Sequence, residues 1–199
     1  MKRSILWIIL LVILLAIVVL AIGSALSSCN GDHIDEGDTY DQEIVLVNTN
    51  FPTDVVLLGE DIYFRPAFQY RKIDKITEDS LSYDTNKFHR LVLIISDLDS
   101  TVQLEEEEYK IVKELLDADA IDYYYLGTSK VDDLMKFGLW EVMTVTDEDE
   151  LGIGVCKYYN MQTQFTIWTQ YDADMTINNN EALGCCIVAQ IAGCIKSNN

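Results

Sequence analysis

The chain has 199 residues, of which 33 are Asp or Glu and 14 are Lys or Arg, so its formal net charge is −19. A surface this acidic repels phosphate backbones, and we therefore expect no nucleic-acid partner. The length suits one folded domain together with segments that lie outside it.

The first 29 residues have the layout of a secretory signal. Lys2 and Arg3 precede an uncharged apolar run at 5–22, and small residues follow up to Cys29. Residues 26–29 (LSSC) resemble a bacterial lipoprotein signal box, which implies lipidation of Cys29. The apolar run is also long enough to serve as an uncleaved anchor. Both alternatives predict a cell-membrane protein, lipid- or helix-anchored, with its domain on the extracytoplasmic side.

The next segments are predicted to be a tether and the start of a single α/β domain. Residues 30–42 are polar and acidic, which is typical of a solvated tether. The domain is predicted to occupy 43–199. EIVLVN (43–48) is a short β-branched apolar run and predicts a buried strand. The run at 55–68 fits a helix or a strand, and 70–77 predicts a weak strand.

The middle of the chain alternates strands with helices. LVLIISD is apolar for six residues, as expected of a strand covered on both faces of a parallel sheet. The alternation predicts a parallel sheet with right-handed crossovers. The predicted elements are a strand at 91–97, a helix at 105–120, a strand at 121–127, a helix that Ser129 can cap and Gly138 ends, and a strand at 140–145.

The last part of the chain has a different pattern. Residues 154–175 predict an antiparallel hairpin at the sheet edge, with a turn near Asn160. Residues 181–196 predict an apolar helix that packs on the sheet. Three of the four cysteines after Cys29 lie on this helix, and two positions on one helix rarely meet disulfide geometry. We therefore predict buried free thiols at Cys156, Cys185, Cys186 and Cys194.

The pattern from about Lys75 to Leu139 resembles class I glutamine-amidotransferase-like domains, a flavodoxin-like group that includes non-enzymatic relatives. In that group a strand like LVLIISD precedes a helix that opens with acids and a strand that ends in glycine, here LEEEEYKIVKELL and YYYLGTS. The family's catalytic cysteine has no counterpart in Gly127-Thr128-Ser129. The resemblance implies fold without that activity. The predicted fold is a flavodoxin-like three-layer α/β sandwich, with a mainly parallel sheet and a late antiparallel hairpin.

The stretch DLDST (97–101) resembles the DxDxT motif of haloacid-dehalogenase-like phosphatases. The resemblance implies that Asp97 attacks phosphorus, that Asp99 protonates the leaving oxygen and that Mg²⁺ offsets the charge. The resemblance further implies Thr128 or Ser129 at the end of the next strand and Lys130 or Lys136 to neutralise phosphate. Asp147 and Asp149 could hold the metal with Asp97 and Asp99. Only 19 positions separate Thr128 from Asp147, which leaves out a strand–helix unit common in that family.

We favour a non-catalytic binding domain that needs no cofactor. In open parallel sheets, ligands bind in the crevice at the carboxyl ends of the strands. This predicts a site at Asp97, Asp99, Thr128 and Ser129 for a small ligand or a cell-surface protein partner. The alternatives are the Mg²⁺-dependent phosphatase and a calcium-dependent adhesion module, which the acidic runs at 32–41 and 147–150 suggest.

Overall fold

The computed structural model describes residues 36–141, 150–159, 161–168 and 179–198. The helices are α1 (Glu36–Val45), a π-helix (Leu46–Asn50), α2 (Glu106–Asp117), α3 (Val131–Lys136) and α4 (Asn179–Asn198). The strands are β1 (Thr53–Gly59), β2 (Arg71–Ile73), β3 (Arg90–Ser96), β4 (Ile121–Leu126), β5 (Glu150–Tyr158) and β6 (Met161–Trp168). The predicted signal or anchor at 1–29 lies outside these ranges, and within them no helix is both long and apolar enough to cross a bilayer.

The six described strands form one mixed sheet in the order β2-β1-β3-β4-β5-β6. The first four are parallel to one another, β5 is antiparallel to β4, and β6 is antiparallel to β5. The α/β class and the late edge hairpin are confirmed. The strand predicted at 140–145 is absent at Trp140 and Glu141, and its remainder lies outside the described residues.

Alternate residues of the central strands enter two cores, one on each face of the sheet. Val92 and Ile94 of β3 enter the first core, whereas Leu93 and Ile95 enter the second. The first, the α1/α4 core, includes Tyr40, Ile44, Val47, Ile187, Val188 and Ile191. The second, the α2/α3 core, includes Ile76, Leu81, Tyr109, Val112, Leu116, Leu134 and Trp140. Because both faces are covered, the strands show continuous apolar runs rather than alternation.

The strand predicted at 43–48 is wrong, because this segment is helical. α1 and the π-helix that continues it cover these residues. Tyr40, Ile44 and Val47 are spaced four and three residues apart, so a helical turn brings all three onto one buried face. α1 also takes up residues 36–42 of the segment predicted as a tether.

Two arginine–aspartate pairs join neighbouring strands at the amino edge of the parallel sheet. Arg71 of β2 donates from Nε and Nη2 to the carboxylate of Asp54 on β1, at 2.9–3.1 Å. Arg90 of β3 binds Asp122 of β4 in the same two-pronged way, at 2.5 and 2.6 Å. Two-pronged contacts of this kind fix geometry as well as contributing energy. They hold the register at the edge opposite the strand-end crevice.

The prediction of four free thiols is wrong for two of them. Cys156 of β5 and Cys194 of α4 form a disulfide, with Cα atoms 6.7 Å apart. The other two helix cysteines, Cys185 and Cys186, are half-buried. No disulfide joins two cysteines of α4, as helix geometry predicts. The bond instead joins this helix to β5, the strand on which it packs, and the sequence spacing did not predict that contact.

Candidate functional site

Two glycines let the loops at the carboxyl ends of the strands approach β3 closely. Gly59 ends β1 with a φ of +92°, and Gly127 follows β4 with a φ of +130°. A Cβ atom at Gly59 would clash with the carbonyl oxygen of Ser96, and one at Gly127 with that of Asp97. Glycine is therefore required at both positions for steric and conformational reasons. The strand-end loops of β1, β3 and β4 meet here.

Asp97 is completely buried, and both oxygens of its carboxylate accept hydrogen bonds. Its side chain is 0% exposed. Oδ1 accepts a hydrogen bond from the Val102 backbone N–H at 2.7 Å. Oδ2 accepts hydrogen bonds from the Tyr125 hydroxyl at 2.8 Å and the Ser129 hydroxyl at 2.5 Å. These bonds tie the loop after β3 to the end of β4 and the segment before α3.

Ser129 is a partner of Asp97 and not the cap of a helix. α3 begins at Val131, its N-cap residue is Lys130, and no side chain caps it. The Ser129 hydroxyl instead donates to the carboxylate of Asp97. The capping prediction is wrong because a buried carboxylate competes with the helix end for this hydroxyl. Gly138 does follow the helix, with a φ of +69°.

Tyr125 completes this network as a neutral donor. Burial raises the pKa of its phenol well above the ordinary value, and the carboxylate of Asp97 raises it further. The hydroxyl therefore keeps its proton and can donate to Asp97. Its oxygen in turn accepts a hydrogen bond from the Lys130 backbone N–H at 3.1 Å.

The second aspartate of DLDST has different surroundings. Asp99 is exposed, and its backbone N–H donates to Glu60 Oε1 at 2.9 Å. The Thr101 hydroxyl donates to the same oxygen at 3.1 Å. Between them, Ser100 adopts a φ of +57°, so the motif forms a tight turn. Glu60, which directly follows β1, is thus the anchor of this turn.

The remaining predicted site residues differ in their surroundings. Thr128 is exposed beside Ser129, and Lys130 is half-buried. Asp147, the third metal ligand of the phosphatase alternative, lies outside the described residues. Within the described ranges, no group of three or more His, Cys, Asp or Glu side chains could hold a metal ion.

A polar pocket of about 370 Å³ opens at the carboxyl edge, between the ends of β1 and β2 and the start of α2. None of the predicted site residues Asp97, Asp99, Thr128 and Ser129 lines this pocket. The lining residues are Leu58, Gly59, Lys72, Ile73, Asp74, Thr101, Val102, Gln103 and Glu108.

Charged side chains fix the walls of this pocket. Buried Glu108 accepts hydrogen bonds from the backbone N–H groups of Ile76 and Glu105, at 2.9 and 2.8 Å. Lys75 Nζ binds Glu105 at 2.8 Å, which raises the pKa of Lys75 and lowers that of Glu105. Lys72 Nζ binds Asp61 at 2.7 Å. The loop after β2 is thus attached to the start of α2 by a buried and an exposed contact.

Sequence reasoning missed three contributors to this region: Glu60, Tyr125 and Glu108. Tyr125 is the last of three consecutive tyrosines, and nothing in that run distinguishes the one that binds Asp97. Glu108 is one of four consecutive glutamates, and nothing in that run distinguishes the buried member. Glu60 had a usable signal, because it ends an apolar run just as Asp97 does. Comparison of the chain with models of known protein families, with characterised proteins and with solved structures finds no match.

Proposed function

We propose that this chain is a membrane-anchored, extracytoplasmic, non-catalytic binding domain that takes a small polar ligand at the carboxyl ends of its parallel strands. The observation that carries the proposal is the polar pocket of about 370 Å³ beside Gly59 and Thr101. Partner proteins at the cell surface would approach the same edge.

The strand order supports this location for a ligand. The parallel part runs β2-β1-β3-β4, which is the order of the flavodoxin-like sheet. In such a sheet the chain turns in opposite directions after β1 and β3, and the crevice between their carboxyl ends is the usual ligand site. Gly59 is the last residue of β1, and Thr101 and Gln103 lie in the loop after β3, so the pocket borders this crevice.

The lining indicates a polar ligand that is neutral or cationic. Hydroxyl, amide and carboxylate groups come from Thr101, Gln103 and Asp74, and the only lining cation among the described residues, Lys72, is paired with Asp61. The chain as a whole carries a net charge of −19, which disfavours anions. We therefore expect polyols, sugars or amines rather than phosphates.

The proposed location outside the cytoplasm has support from two independent features. The first 29 residues resemble a lipoprotein signal with Cys29 as the acceptor. The Cys156–Cys194 disulfide is of a kind that persists in oxidising compartments and is rare where thiols are kept reduced.

The test is a thermal-shift screen of the full chain in detergent against polyols, sugars and amines. A ligand at about 100 times its Kd stabilises the folded state by about 2.7 kcal/mol, which raises Tm by roughly 5–10 °C. Thr101→Arg fills the pocket and should abolish the shift. Thr85→Arg places the same charge on an exposed loop distant from the pocket, and should keep it. A shift of equal size in both variants contradicts the proposed site.

The phosphatase alternative predicts a different result. Its nucleophile would be Asp97, yet both oxygens of that carboxylate accept hydrogen bonds within the protein. These contacts weigh against an attack on phosphorus. The assay is hydrolysis of a generic phosphomonoester with Mg²⁺ by the full chain and by Asp97→Asn. We expect no turnover in either, and turnover that is lost in Asp97→Asn would replace our proposal with the alternative.

A further inference from the structure

The two edges of the described sheet are built differently. β2 has three residues and two of them, Arg71 and Lys72, are charged. β6 has eight residues, MQTQFTIW, and none is charged. Short, charged edge strands resist pairing with other chains, whereas long uncharged ones invite it. An uncharged edge of this length stands out in a chain of which 24% is charged.

The hairpin register determines which backbone groups of β6 point away from the sheet. Tyr158 pairs with Met161 across a two-residue turn, and Cys156 pairs with Thr163. In such a hairpin the pair that flanks the turn is hydrogen-bonded, and hydrogen-bonded pairs recur at every second residue. The N–H and C=O groups of Gln162, Gln164 and Thr166 therefore point outward. No strand among the described residues lies beyond them.

We propose that this edge binds a second copy of the chain, through antiparallel pairing of two β6 strands about a two-fold axis at Gln164. Symmetric interfaces of this kind place the same strand on both sides. The pairing would set Gln164 opposite Gln164 and Gln162 opposite Thr166. With two exchanged bonds for each of these three pairs, about six backbone hydrogen bonds would link the copies.

The pattern of side chains along β6 fits this pairing. Phe165 and Ile167 contact the α1/α4 core, so Met161 and Thr163 lie on the same face of the strand. The two-fold axis sets Met161 opposite Ile167 and Thr163 opposite Phe165, which continues the apolar face. On the other face the Gln164 side chain accepts a hydrogen bond from the Glu141 backbone N–H, and the Gln162 side chain donates one to the Leu116 carbonyl. Met161, 67% exposed, would be covered by the second copy.

Charge restricts where two copies can meet, and it favours contact along this uncharged strand alone. Two copies that each carry a charge of −19 repel one another. The two β6 strands would contribute no charged side chain, and the remaining repulsion decays within a Debye length of about 8 Å at 0.15 M salt. Dimerisation should therefore strengthen as salt increases.

The experiment compares two substitutions at the proposed axis by sedimentation velocity of the full chain in detergent. Gln164→Pro removes an N–H that the β5–β6 ladder does not use, and Gln164→Ala removes the same side chain but keeps that N–H. At roughly 100 μM protein we expect wild type and Gln164→Ala to be dimers, for a Kd on the order of 10 μM. Gln164→Pro should weaken association by at least about tenfold.

If the proline variant does not fold, two oppositely charged variants at the same position test the proposed dimer. Gln164→Lys and Gln164→Glu set like charges directly opposite each other, so each alone should be monomeric. A mixture of the two should form a heterodimer. A monomeric wild type, or association that is unchanged in Gln164→Pro and in both charged variants, would overturn the proposal.

Discussion

Asp97 is a buried carboxylate with no cation beside it among its hydrogen-bond partners. Three donors supply the compensation that burial of a charge requires: the Val102 N–H and the hydroxyls of Tyr125 and Ser129. Each donor belongs to a different part of the strand-end region. Asp97 therefore acts as the link that holds these parts together.

Because only Asp97 has this role, we expect substitutions at the two aspartates of DLDST to change stability by different amounts. Asp97→Asn replaces an acceptor with an amide nitrogen that faces donors, so we expect the free energy of unfolding to fall by about 2–3 kcal/mol. Asp99→Asn alters an exposed side chain, and its effect should stay within about 0.5 kcal/mol. Urea unfolding of the two variants makes the comparison. Equal effects would mean that Asp97 is not a structural link.

The pH dependence of folding stability tests the effect of burial on Glu43. Its side chain is 14% exposed on α1, and Lys196 lies 4.0 Å away. Burial raises the pKa of Glu43 despite that lysine. The folded state thus binds the proton more tightly than the unfolded state, and stability is lost as pH rises from the ordinary pKa through the raised one.

We therefore expect Glu43→Gln to be more stable than wild type at pH 7. At about pH 3, below the ordinary pKa of a glutamic acid, both side chains are neutral and the difference should vanish. Unfolding midpoints measured across this range check the trend. The exposed control Glu78→Gln should show no such pH-dependent gain, and a loss of stability in Glu43→Gln at pH 7 would refute the argument.

Part of the site could be predicted from the sequence. Asp97 and Ser129 each follow a parallel strand, and neighbouring strand ends meet at one edge, which is why the structure brings the two side chains together. The different surroundings of Asp97 and Asp99 could not be predicted. They depend on Ser100 at positive φ and on Glu60, which comes from a strand that the pattern left ambiguous.

At the scale of elements, the strands with the longest apolar runs were the easiest to predict. LVLIISD and IDYYYLG are strands in the predicted places. EIVLVN has the same local character but is helical, because Tyr40 upstream supplies the helical spacing that buries Ile44 and Val47. The six residues of EIVLVN do not include Tyr40, so they do not show the helical spacing. Burial of the helix against the sheet outweighs the preference of β-branched residues for strands.

The disulfide between β5 and α4 provides a prediction at the same scale. Cys156 and Cys194 are 38 residues apart, and the chain-entropy model gives roughly 4 kcal/mol for a loop of this size. Reduction with a thiol should lower the free energy of unfolding by about 3–4 kcal/mol. Urea unfolding with and without reductant measures it.

Two double variants serve as controls for the reduction experiment. Cys185→Ala with Cys186→Ala should retain the full response to reductant. Cys156→Ala with Cys194→Ala should be as weak as the reduced protein and should not respond further. A full response in this last variant would show that the reductant acts elsewhere.

For the whole molecule, acidity is the dominant electrostatic property. A net charge of −19 destabilises the compact state through self-repulsion, and added salt screens that repulsion. We expect Tm to rise by several degrees between about 10 mM and 500 mM NaCl, as the Debye length falls from roughly 30 Å to below 5 Å. A fall in Tm would mean that ion pairs outweigh the repulsion. A much larger rise with MgCl₂ at the same ionic strength would reveal a specific cation site.

The bond between Cys156 and Cys194 also governs what a protease can do to this protein. A cut at any peptide bond between these two residues would divide the polypeptide but leave both pieces covalently joined. The α4 segment up to Cys194 would stay attached to β5, and with it the apolar contacts of the α1/α4 core. A single cut between Cys156 and Cys194 would thus not release a fragment. On a gel it would become visible only after reduction.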